Sequence, residues 1–564
     1  MEELIIKYRK EENMSKIRIF SLGGLNENGK NLYVVEVDKD IFIFDAGLKY
    51  DNDRSLGIDY IIPNFDYLVK NRKKIKGIFL THGHESHIGA IPDIMEKIPE
   101  VNVYGTKLTL DMVRQDLEDN KKHLSHLKEL RPHHKIEFGK NSLFPISVTH
   151  SIPDALCYVL NTEDGAVVYT GDFVFDATMT GIYKTDIGKL AYVGKQGVLC
   201  LMAESMYAER EGHTSPHNRV AGFIKEVLNK NENRIIATIF PAHFYRIQEL
   251  FDEVSKTHRK IVIMGKQLQE TIHKAIENNY LTIHPKIIGD LSNLNDKNVV
   301  VLVSDEKEKP FNNLERIIKG YDKYITLKET DTIFITEPAY EGIEKRLAII
   351  MDDIAMAGCE AISLSSKKHL LHHASREDLM LMLNLMNPKY YFPVKGEYRH
   401  QYANATIAEF LGMPKENILL KQNGDVVEFN HGKLNTKCMD RIEVGEVLID
   451  GKSQGDIGGL VLKDREMLGE NGIVIVSCTL DKQTKKIVGG PEILTRGFIY
   501  AKDNQDLLEE TKRLAYDVID GSIEPNSKRV DYSQIKNGVR EQLGKFFYQK
   551  TESKPMVITV IQEV

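Results

Sequence analysis

Three histidines lie within six residues of the sequence: His82, His84 and His87. They follow an apolar run that predicts a buried strand over 75–80, and the apolar spacing after them predicts a helix. Imidazole nitrogens on a strand-to-helix loop are good ligands for a divalent metal such as zinc. The alternative is a set of ordinary polar loop residues, but three histidines in six positions favour a metal site. Ser86 stands among them, where a second metal would require a carboxylate.

Two further polar residues lie where predicted strands end. A strand predicted at 147–149 leads into His150, and a strand predicted at 166–170 is followed by Asp172. In α/β proteins the functional groups collect at the ends of strands. Each residue alone could be a loop or turn residue. Together with the three histidines they supply a fourth imidazole and a carboxylate that can bridge two metals.

The elements that position these residues form several regions, because 564 residues predict two to four domains. Short strands with glycine corners surround the histidine loop, and the helix predicted after that loop covers 87–98. A βαβα rhythm then indicates a separate α/β insert. Near the end, strands at 473–476 and 556–561 flank a helix at 507–518. We predict an N-terminal extension (1–13), a first domain in two parts (14–205 and 365–444), an insert (206–364), a linker (445–464) and a C-terminal domain (465–564).

The composition, with 42% hydrophobic and 28% charged residues, is typical of a soluble globular protein. The net charge of -7 gives no general attraction to nucleic acid or anionic membranes, although 75 Lys and Arg leave room for a local basic channel. The five cysteines are far apart and odd in number, which argues against a disulfide framework and for a reducing compartment. No run of about 18 apolar residues occurs. We therefore expect a cytoplasmic protein without a membrane segment.

The order of these motifs resembles the metallo-β-lactamase fold, and the insert followed by a histidine-containing run at 369–374 resembles the β-CASP subgroup, which acts on nucleic acids. Within that subgroup the chain is most similar to the bacterial ribonuclease J family, from about Lys16 to its last residue. The resemblance implies an α/β fold: a metallo-β-lactamase αββα sandwich with an inserted β-CASP α/β domain and a C-terminal α/β domain. It rests on SLGG at 21–24, THGHE at 81–85, HSIPD at 150–154, YTGDF at 169–173, YRIQ at 245–248, GEYR at 396–399, RGF at 496–498 and KPM at 554–556.

The resemblance implies two metal sites. The first would use His82, His84, His150 and the bridging Asp172, and all four are present. The second would use an Asp at position 86, His87, Asp172 and a His at position 395. The chain has Ser86 and Lys395 at two of these positions. The departures from the family pattern therefore fall on one metal only.

Lys395 is the more informative of the two changes. An ammonium about 4 Å from a divalent cation costs roughly 8 kcal/mol at an effective dielectric constant of about 20. A second metal and a protonated Lys395 should therefore exclude each other. Either the lysine replaces the metal's charge and pairs with Asp172, or it points to solvent and leaves the position empty. We expect at most one zinc per chain, and leave open manganese or no metal at all.

Other residues that the resemblance assigns to RNA chemistry are partly altered. Glu204 is implied to orient a ligand histidine without binding the metal itself. His373 is implied to act as general acid or to stabilise a developing oxyanion. The family's glycine-containing phosphate loop corresponds to the acidic run 304–309, and His243 replaces a family Asn. The motif implied to bind RNA comprises His369, Leu370, Leu371, His372 and His373; in it Leu371 and His372 replace the smaller Ser and Gly of the family.

Two functions remain in view. One is a metal-dependent ribonuclease that removes nucleotides from the 5′ end of RNA or cuts internally, either fully competent or weak. The other is a nearly inactive subunit that pairs, as a homodimer or with an active ribonuclease J, through its C-terminal domain. The altered second site resembles that of the degenerate paralogue which many Gram-positive bacteria carry beside the active one, and we favour this second function. A small-molecule hydrolase has no use for the insert or the C-terminal domain.

Overall fold

The computed structural model describes residues 15–50, 57–120, 126–304, 311–336, 343–365, 372–450, 459–499, 504–523 and 530–564. The chain divides into two compact units, the first formed mainly by 59–447 and the second mainly by 448–564. Within the described residues no helix is both long and apolar enough to cross a membrane. All five cysteines are free.

Two mixed sheets form the part of the first unit that carries the histidine loop. The strands of the first sheet are β1 (Lys16–Gly23), β2 (Leu32–Val37), β3 (Asp40–Phe44), β5 (Ile75–Phe79), β6 (Val103–Gly105), β7 (Leu127–Glu129), β19 (Val427–Asn430) and β20 (Lys433–Leu434). The second sheet contains β8 (Ile136–Phe138), β9 (Asn141–Ser147), β10 (Leu156–Thr162), β11 (Gly165–Tyr169), β12 (Val198–Ala203) and β18 (Tyr390–Pro393). Their orders are β20-β19-β1-β2-β3-β5-β6-β7 and β18-β12-β11-β10-β9-β8. A separate short strand is β4 (Tyr60–Pro63).

An aromatic core joins the two sheets. Phe44 of the first sheet lies 5.9 Å from Tyr158 and 5.7 Å from Tyr169 of the second, measured between ring centroids. All three side chains are fully or almost fully buried. Such rings bury large apolar areas, so they fix the two sheets against each other. The helices of this part are α1 (Asp66–Lys70), α2 (Glu85–Ile88), α3 (Ile91–Lys97), α4 (Lys107–Asp119), α5 (Ile187–Gln196), α11 (Arg376–Met386) and α12 (Tyr398–Phe410).

The insert has the predicted βαβα rhythm. Its elements are α6 (Pro216–Lys230), β13 (Ile235–Thr238), α7 (Phe244–Ser255), β14 (Lys260–Met264), α8 (Lys266–Glu277), β15 (Val299–Val303), α9 (Asn312–Ile318), β16 (Thr332–Ile335), α10 (Glu344–Met356) and β17 (Glu360–Ser363). The strands form one parallel sheet in the order β14-β15-β13-β16-β17. Because they are buried, the central strands read as continuous apolar runs rather than as alternating ones.

The second unit is a three-stranded sheet with helices on one face. The elements from 446 onward are β21 (Glu446–Ile449), α13 (Gly459–Asn471), β22 (Ile473–Leu480), β23 (Ile487–Arg496), α14 (Gln505–Gly521), α15 (Tyr532–Thr551) and β24 (Met556–Glu563). The central strand β22 is antiparallel to β23 and parallel to β24. Alternate residues of β22 are buried against the helices, as a half-covered sheet requires. The sequence prediction missed β23 and α15.

Three local predictions differ from the structure. The stretch predicted as a linker at 445–464 contains β21 and the start of α13. The strand predicted at 147–149 corresponds to the end of β9, which stops at Ser147; beyond it the ladder with β10 ends, and Thr149 bridges Val174 instead. The helix predicted over 87–98 is two helices, α2 and α3. They separate where the Ala90 backbone N–H donates to the Ala46 carbonyl at 2.9 Å.

Candidate metal centre

The candidate site lies where four strands end. His82 and His84 follow β5, His150 follows β9, Asp172 follows β11, and Lys395 follows β18. The two sheets therefore bring together residues that are separated by more than 300 positions in the chain. Apart from His84, at 8% exposure, these residues are at most 3% exposed.

The histidine loop is fixed by the segment that follows β3. The Ala46 N–H donates to the His87 carbonyl at 2.7 Å, and the Leu48 N–H donates to the Glu85 carbonyl at 3.0 Å. Gly47 lies between these two donors. A Cβ at that position would stand 1.6 Å from the Ser86 carbonyl oxygen. Only glycine therefore permits this close backbone approach.

Four donor atoms are arranged as a zinc site needs them. His82 Nε2 lies 3.1 Å from His84 Nδ1, and His150 Nε2 lies 3.2 Å from the same atom. Asp172 Oδ2 lies 3.6 Å from His82 Nε2 and 3.7 Å from His150 Nε2. Ligands on tetrahedral zinc are separated by about 3.3 Å, given bond lengths near 2.05 Å. The four donors that the family resemblance implies for the first metal site thus have a spacing that fits one zinc ion.

The protonation states of these histidines agree with that fit. Burial lowers the pKa of His82, His84 and His150 well below the ordinary value, so the imidazoles are neutral. Metal ligation requires neutral imidazole and an ionised carboxylate. The second oxygen of the carboxylate, Asp172 Oδ1, is buried without a hydrogen-bond partner among the described residues. It remains available to a ligand.

A second layer of residues orients the first ligands, and its key member is Asp45. The Thr81 hydroxyl lies 2.9 Å from Asp45 Oδ2 and 3.0 Å from His82 Nδ1. Tyr169 donates its hydroxyl to Asp45 at 2.8 Å. Such contacts fix the tautomer and ring orientation of a ligand histidine. Sequence reasoning did not assign Asp45 to the site; the acidic end of the second hairpin strand, in Phe44-Asp45-Ala46-Gly47, was the available signal.

Lys395 lies between two of the residues that the family resemblance implies as ligands of a second metal. Its Nζ lies 2.5 Å from Asp172 Oδ2 and 3.0 Å from His87 Nε2, the two remaining ligands implied for that metal. The residue is 3% exposed. Of the two orientations left open by the sequence, the structure has the paired one. A second metal at this position would overlap the Lys395 ammonium and would also be repelled by its positive charge.

The ionisable groups around Lys395 shift one another's pKa values. Burial alone would raise the pKa of Asp172, but Lys395 and His87 outweigh it and hold that pKa well below the ordinary value. Burial would likewise lower the pKa of His87, but Asp172 and Asp45 raise it overall, against the opposing effect of Lys395. His87 Nδ1 lies 2.7 Å from Asp45 Oδ2. Asp45, His87, Asp172 and Lys395 thus form one buried cluster of ionisable groups.

The backbone at Lys395 is also unusual. Its φ angle is +58°, in the left-handed region that non-glycine residues rarely adopt. Such a conformation costs of order 1 kcal/mol or more and persists only where the surroundings enforce it. The preceding Val394 N–H donates to Ala203 at 2.9 Å, and the following Gly396 N–H donates to Glu27 at 3.1 Å. These contacts hold the lysine in its inward orientation.

Glu204 is placed differently from the role implied by the resemblance. Its Oε1 accepts from the Phe173 N–H at 2.8 Å and from the Ala374 N–H at 3.3 Å. Its Oε2 lies 2.6 Å from His373 Nδ1, and the carboxyl contacts no histidine of the zinc set in this arrangement. Glu204 therefore links the backbone after Asp172 to the backbone after His373 through hydrogen bonds. Burial and the neighbouring Asp172 raise the pKa of Glu204, whereas burial lowers the pKa of His373.

The residues assigned to RNA binding are only partly within the described structure. His369, Leu370 and Leu371 lie outside the described residues, as do positions 305–309 of the acidic run. His373 Nδ1 lies 3.8 Å from Asp172 Oδ2. His372 packs against His243, with ring centroids 4.5 Å apart, and the His243 ring is 5.5 Å from that of His84. Two histidines that depart from the family pattern thus adjoin the candidate metal site.

Removing two zinc ligands provides the first test of the site. We expect the variant His84→Ala with His150→Ala to lose zinc almost completely, because two of four donors disappear. Zinc content would be measured by mass spectrometry after dialysis against trace zinc. His134→Ala, at an exposed histidine outside the cluster, serves as the control and should match the parent. Equal zinc in the double variant and the parent would contradict the assignment.

Comparisons with known proteins cover almost the whole chain. Four family models match it: "Metallo-beta-lactamase superfamily" over 25–220, "Ribonuclease J, beta-CASP domain" over 232–354, "Zn-dependent metallo-hydrolase RNA specificity domain" over 365–418, and "Ribonuclease J C-terminal domain" over 460–564.

Two curated relatives are similar over their full length. The chain is 38% identical to Ribonuclease J2 of Bacillus subtilis (strain 168) over 561 residues, covering 98% of this chain and 100% of the relative. It is 34% identical to Ribonuclease J 2 of Staphylococcus aureus (strain MRSA252), covering 97% and 98%. A solved structure of a protein of unknown function from Enterococcus faecalis V583 superposes with a TM-score of 0.52 at 17% identity, covering 73% of this chain and 100% of the other, and shows the fold alone.

Proposed function

This chain belongs to the ribonuclease J family, and from that premise we propose that it is an RNA-binding protein of RNA processing and decay whose own nuclease activity is weak or absent. It acts in the cytoplasm as the partner of an active ribonuclease J. It holds at most one divalent metal, zinc by the chemistry of its donors. The observation that carries the proposal is the Lys395 ammonium between Asp172 and His87.

The loss of activity follows from what a second metal would supply. Two metals stabilise both the attacking and the leaving oxygens of a phosphodiester during hydrolysis. A single zinc at the histidine cluster would polarise one phosphoryl oxygen when bound. Lys395 is fixed by its ion pair and is 3% exposed, so it is not free to contact substrate as the second cation.

The remaining residues can still position a phosphate and a proton. Burial and the neighbouring Asp172 raise the pKa of Glu204, which favours its protonated form, and its Oε2 lies 2.6 Å from His373 Nδ1. The side chain of His373 is 17% exposed, more than the buried ligands behind it. Because burial lowers the pKa of His373, this imidazole would pass a proton from Glu204 to a leaving oxygen rather than supply one of its own. This arrangement is compatible with slow hydrolysis.

The C-terminal unit supports the partner role. One face of its sheet packs on helices, and the other leaves Leu494 and Ile558 exposed at 48% and 41%. Both lie beside Ile475 of the central strand, so the three side chains form one apolar patch. Apolar patches on a sheet face mark interaction sites. We assign this patch to the C-terminal domain of the active ribonuclease J.

An RNA decay assay tests both parts of the proposal. We expect the chain alone to degrade 5′-monophosphorylated RNA at least about a hundredfold more slowly than the active paralogue, since losing even one electrostatic contact at a reacting oxygen costs that much. Mixed with the active protein, it should co-elute on size exclusion and alter the degradation rate or pattern. Hydrolysis at the rate of the active enzyme would instead indicate a competent exonuclease or endonuclease. Separate elution would contradict the partner role.

A further inference from the structure

Helix α12 carries two aromatic rings that the candidate chemistry does not use. Tyr398 and Tyr402 are 53% and 56% exposed. Their ring centroids are 6.3 Å apart and their planes differ by 30°, so the rings stack along the helix surface. Their spacing of four residues places them on one side of the helix.

Buried side chains of the same helix anchor it to the backbone near the candidate metal centre. Gln401 donates its amide to the carbonyl of Gly396, next to Lys395, at 3.0 Å. Asn404 donates to the backbone carbonyl of Glu204 at 2.9 Å. Both anchoring residues are fully buried. The two tyrosines therefore project from a rigid element whose position is fixed relative to the site.

The distance to the site is short. Tyr398 is three positions after Lys395, so their Cα atoms are at most about 11 Å apart. A single-stranded RNA of a few nucleotides is long enough to span the distance between Tyr398 and Lys395. The helix also lies inside the segment 365–418 that matches the RNA specificity domain.

We propose that Tyr398 and Tyr402 form a stacking platform for the bases of single-stranded RNA next to the candidate phosphodiester site. This inference rests on the proposed function and names the contact by which RNA is held. Exposed aromatic rings bind single-stranded nucleic acid because every base has a π face, so the platform accepts any sequence. Arg399, the neighbouring cation, is paired with Glu209 at 3.1 Å and Glu397 at 3.0 Å. Stacking, rather than charge, therefore dominates here.

The first test measures the binding of a labelled 5′-monophosphorylated oligouridylate of about ten nucleotides, by fluorescence anisotropy with chelator present to prevent hydrolysis. We expect Tyr398→Ala with Tyr402→Ala to weaken binding about tenfold or more. The corresponding double Phe variant should bind like the parent, because it keeps both ring faces. The slope of log Kd against log salt concentration should stay unchanged, since the lost contacts are not to phosphates. Tyr192→Ala, at 59% exposure on α5, is the matched control.

A second test uses tryptophan fluorescence, because the chain contains no tryptophan of its own. Tyr402→Trp introduces a single tryptophan, and oligouridylate should quench the emission of this residue by stacking on it. Tyr192→Trp should not respond, and inorganic phosphate should quench neither. If oligouridylate leaves the emission of the Tyr402→Trp variant unchanged, the platform is overturned even if the alanine variant is unstable.

The outcomes separate the platform from the proposed function. If the parent chain does not bind the oligonucleotide, the proposed function fails and the platform fails with it. If the parent binds and the double alanine variant binds equally well, only the platform is wrong. If that variant keeps RNA binding but loses self-association on size exclusion, the tyrosines contact protein, and the platform is again overturned.

Discussion

Replacing Lys395 by methionine is expected to destabilise the first unit by about 3–5 kcal/mol, because removal of one partner from a buried ion pair leaves the other uncompensated. The ammonium is the nearest cation to Asp172 Oδ2, at 2.5 Å, and the carboxylate is 2% exposed. Methionine keeps most of the side-chain volume, so packing loss is small. The measurement is urea-induced unfolding with chelator present, which removes any contribution from bound metal.

An exposed lysine gives the matched control. Lys415 lies 3.2 Å from Glu409, but its side chain is 81% exposed. Exposed pairs of this kind contribute about 0–1 kcal/mol, so Lys415→Met should leave the unfolding midpoint almost unchanged. If both lysine variants unfold together with the parent, Lys395 does not stabilise the cluster.

The cost of Lys395→Met should grow with pH. Lys395 opposes the raised pKa of His87, so its removal raises that pKa further. Protonated His87 then becomes the counter-charge of Asp172, which lies 3.3 Å away. A group with a raised folded pKa stabilises below its unfolded pKa and loses that effect as pH rises through the folded value. The difference between variant and parent should therefore be smallest near pH 6 and larger at pH 9; a constant difference would exclude His87 as the substitute cation.

The second large effect is expected in metal content. The variant Ser86→Asp with Lys395→His restores both ligand types that the family pattern implies for the second site. We expect bound metal to rise from at most one ion per chain to two, since the ammonium no longer occupies the space between Asp172 and His87. Elemental analysis of purified protein would measure this. Lys395→His alone is the comparison, because it frees the space without adding the carboxylate.

Nuclease activity should recover far less than metal binding. We expect the double variant to degrade RNA within about tenfold of the parent, a change of only about 1.4 kcal/mol in barrier. His243 and His372 remain beside the candidate site, where the family has smaller or different residues. Activity equal to that of an active paralogue would show that only the metal ligands had been lost. Two ions bound by the parent itself would contradict the role of Lys395.

Much of the candidate site follows from local sequence. His82 and His84 lie on the loop after β5, His87 lies in the short helix α2, and His150 and Asp172 follow strands β9 and β11. The sequence pattern predicted these placements near strand ends, whereas the division into a first and a second metal site came from the family resemblance. Strand ends are predictable because the period of apolar residues marks the strand and the polar residue marks its stop. The parallel insert was predicted for the same reason. Element boundaries were less accurate, since they depend on contacts such as the Ala46 carbonyl that interrupts the helix predicted at 87–98.

The amino-acid sequence by itself determined which ligand types are present and which are missing. The sequence does not determine the orientation of the Lys395 side chain, because a long flexible lysine can extend into solvent or form a buried ion pair. The tertiary structure decided this by bringing β5, β11 and β18 together, so that His87, Asp172 and Lys395 meet across 308 positions of chain. It also placed Asp45 behind His87 and Glu204 beside His373. These contacts depend on how two sheets pack, which no local pattern encodes.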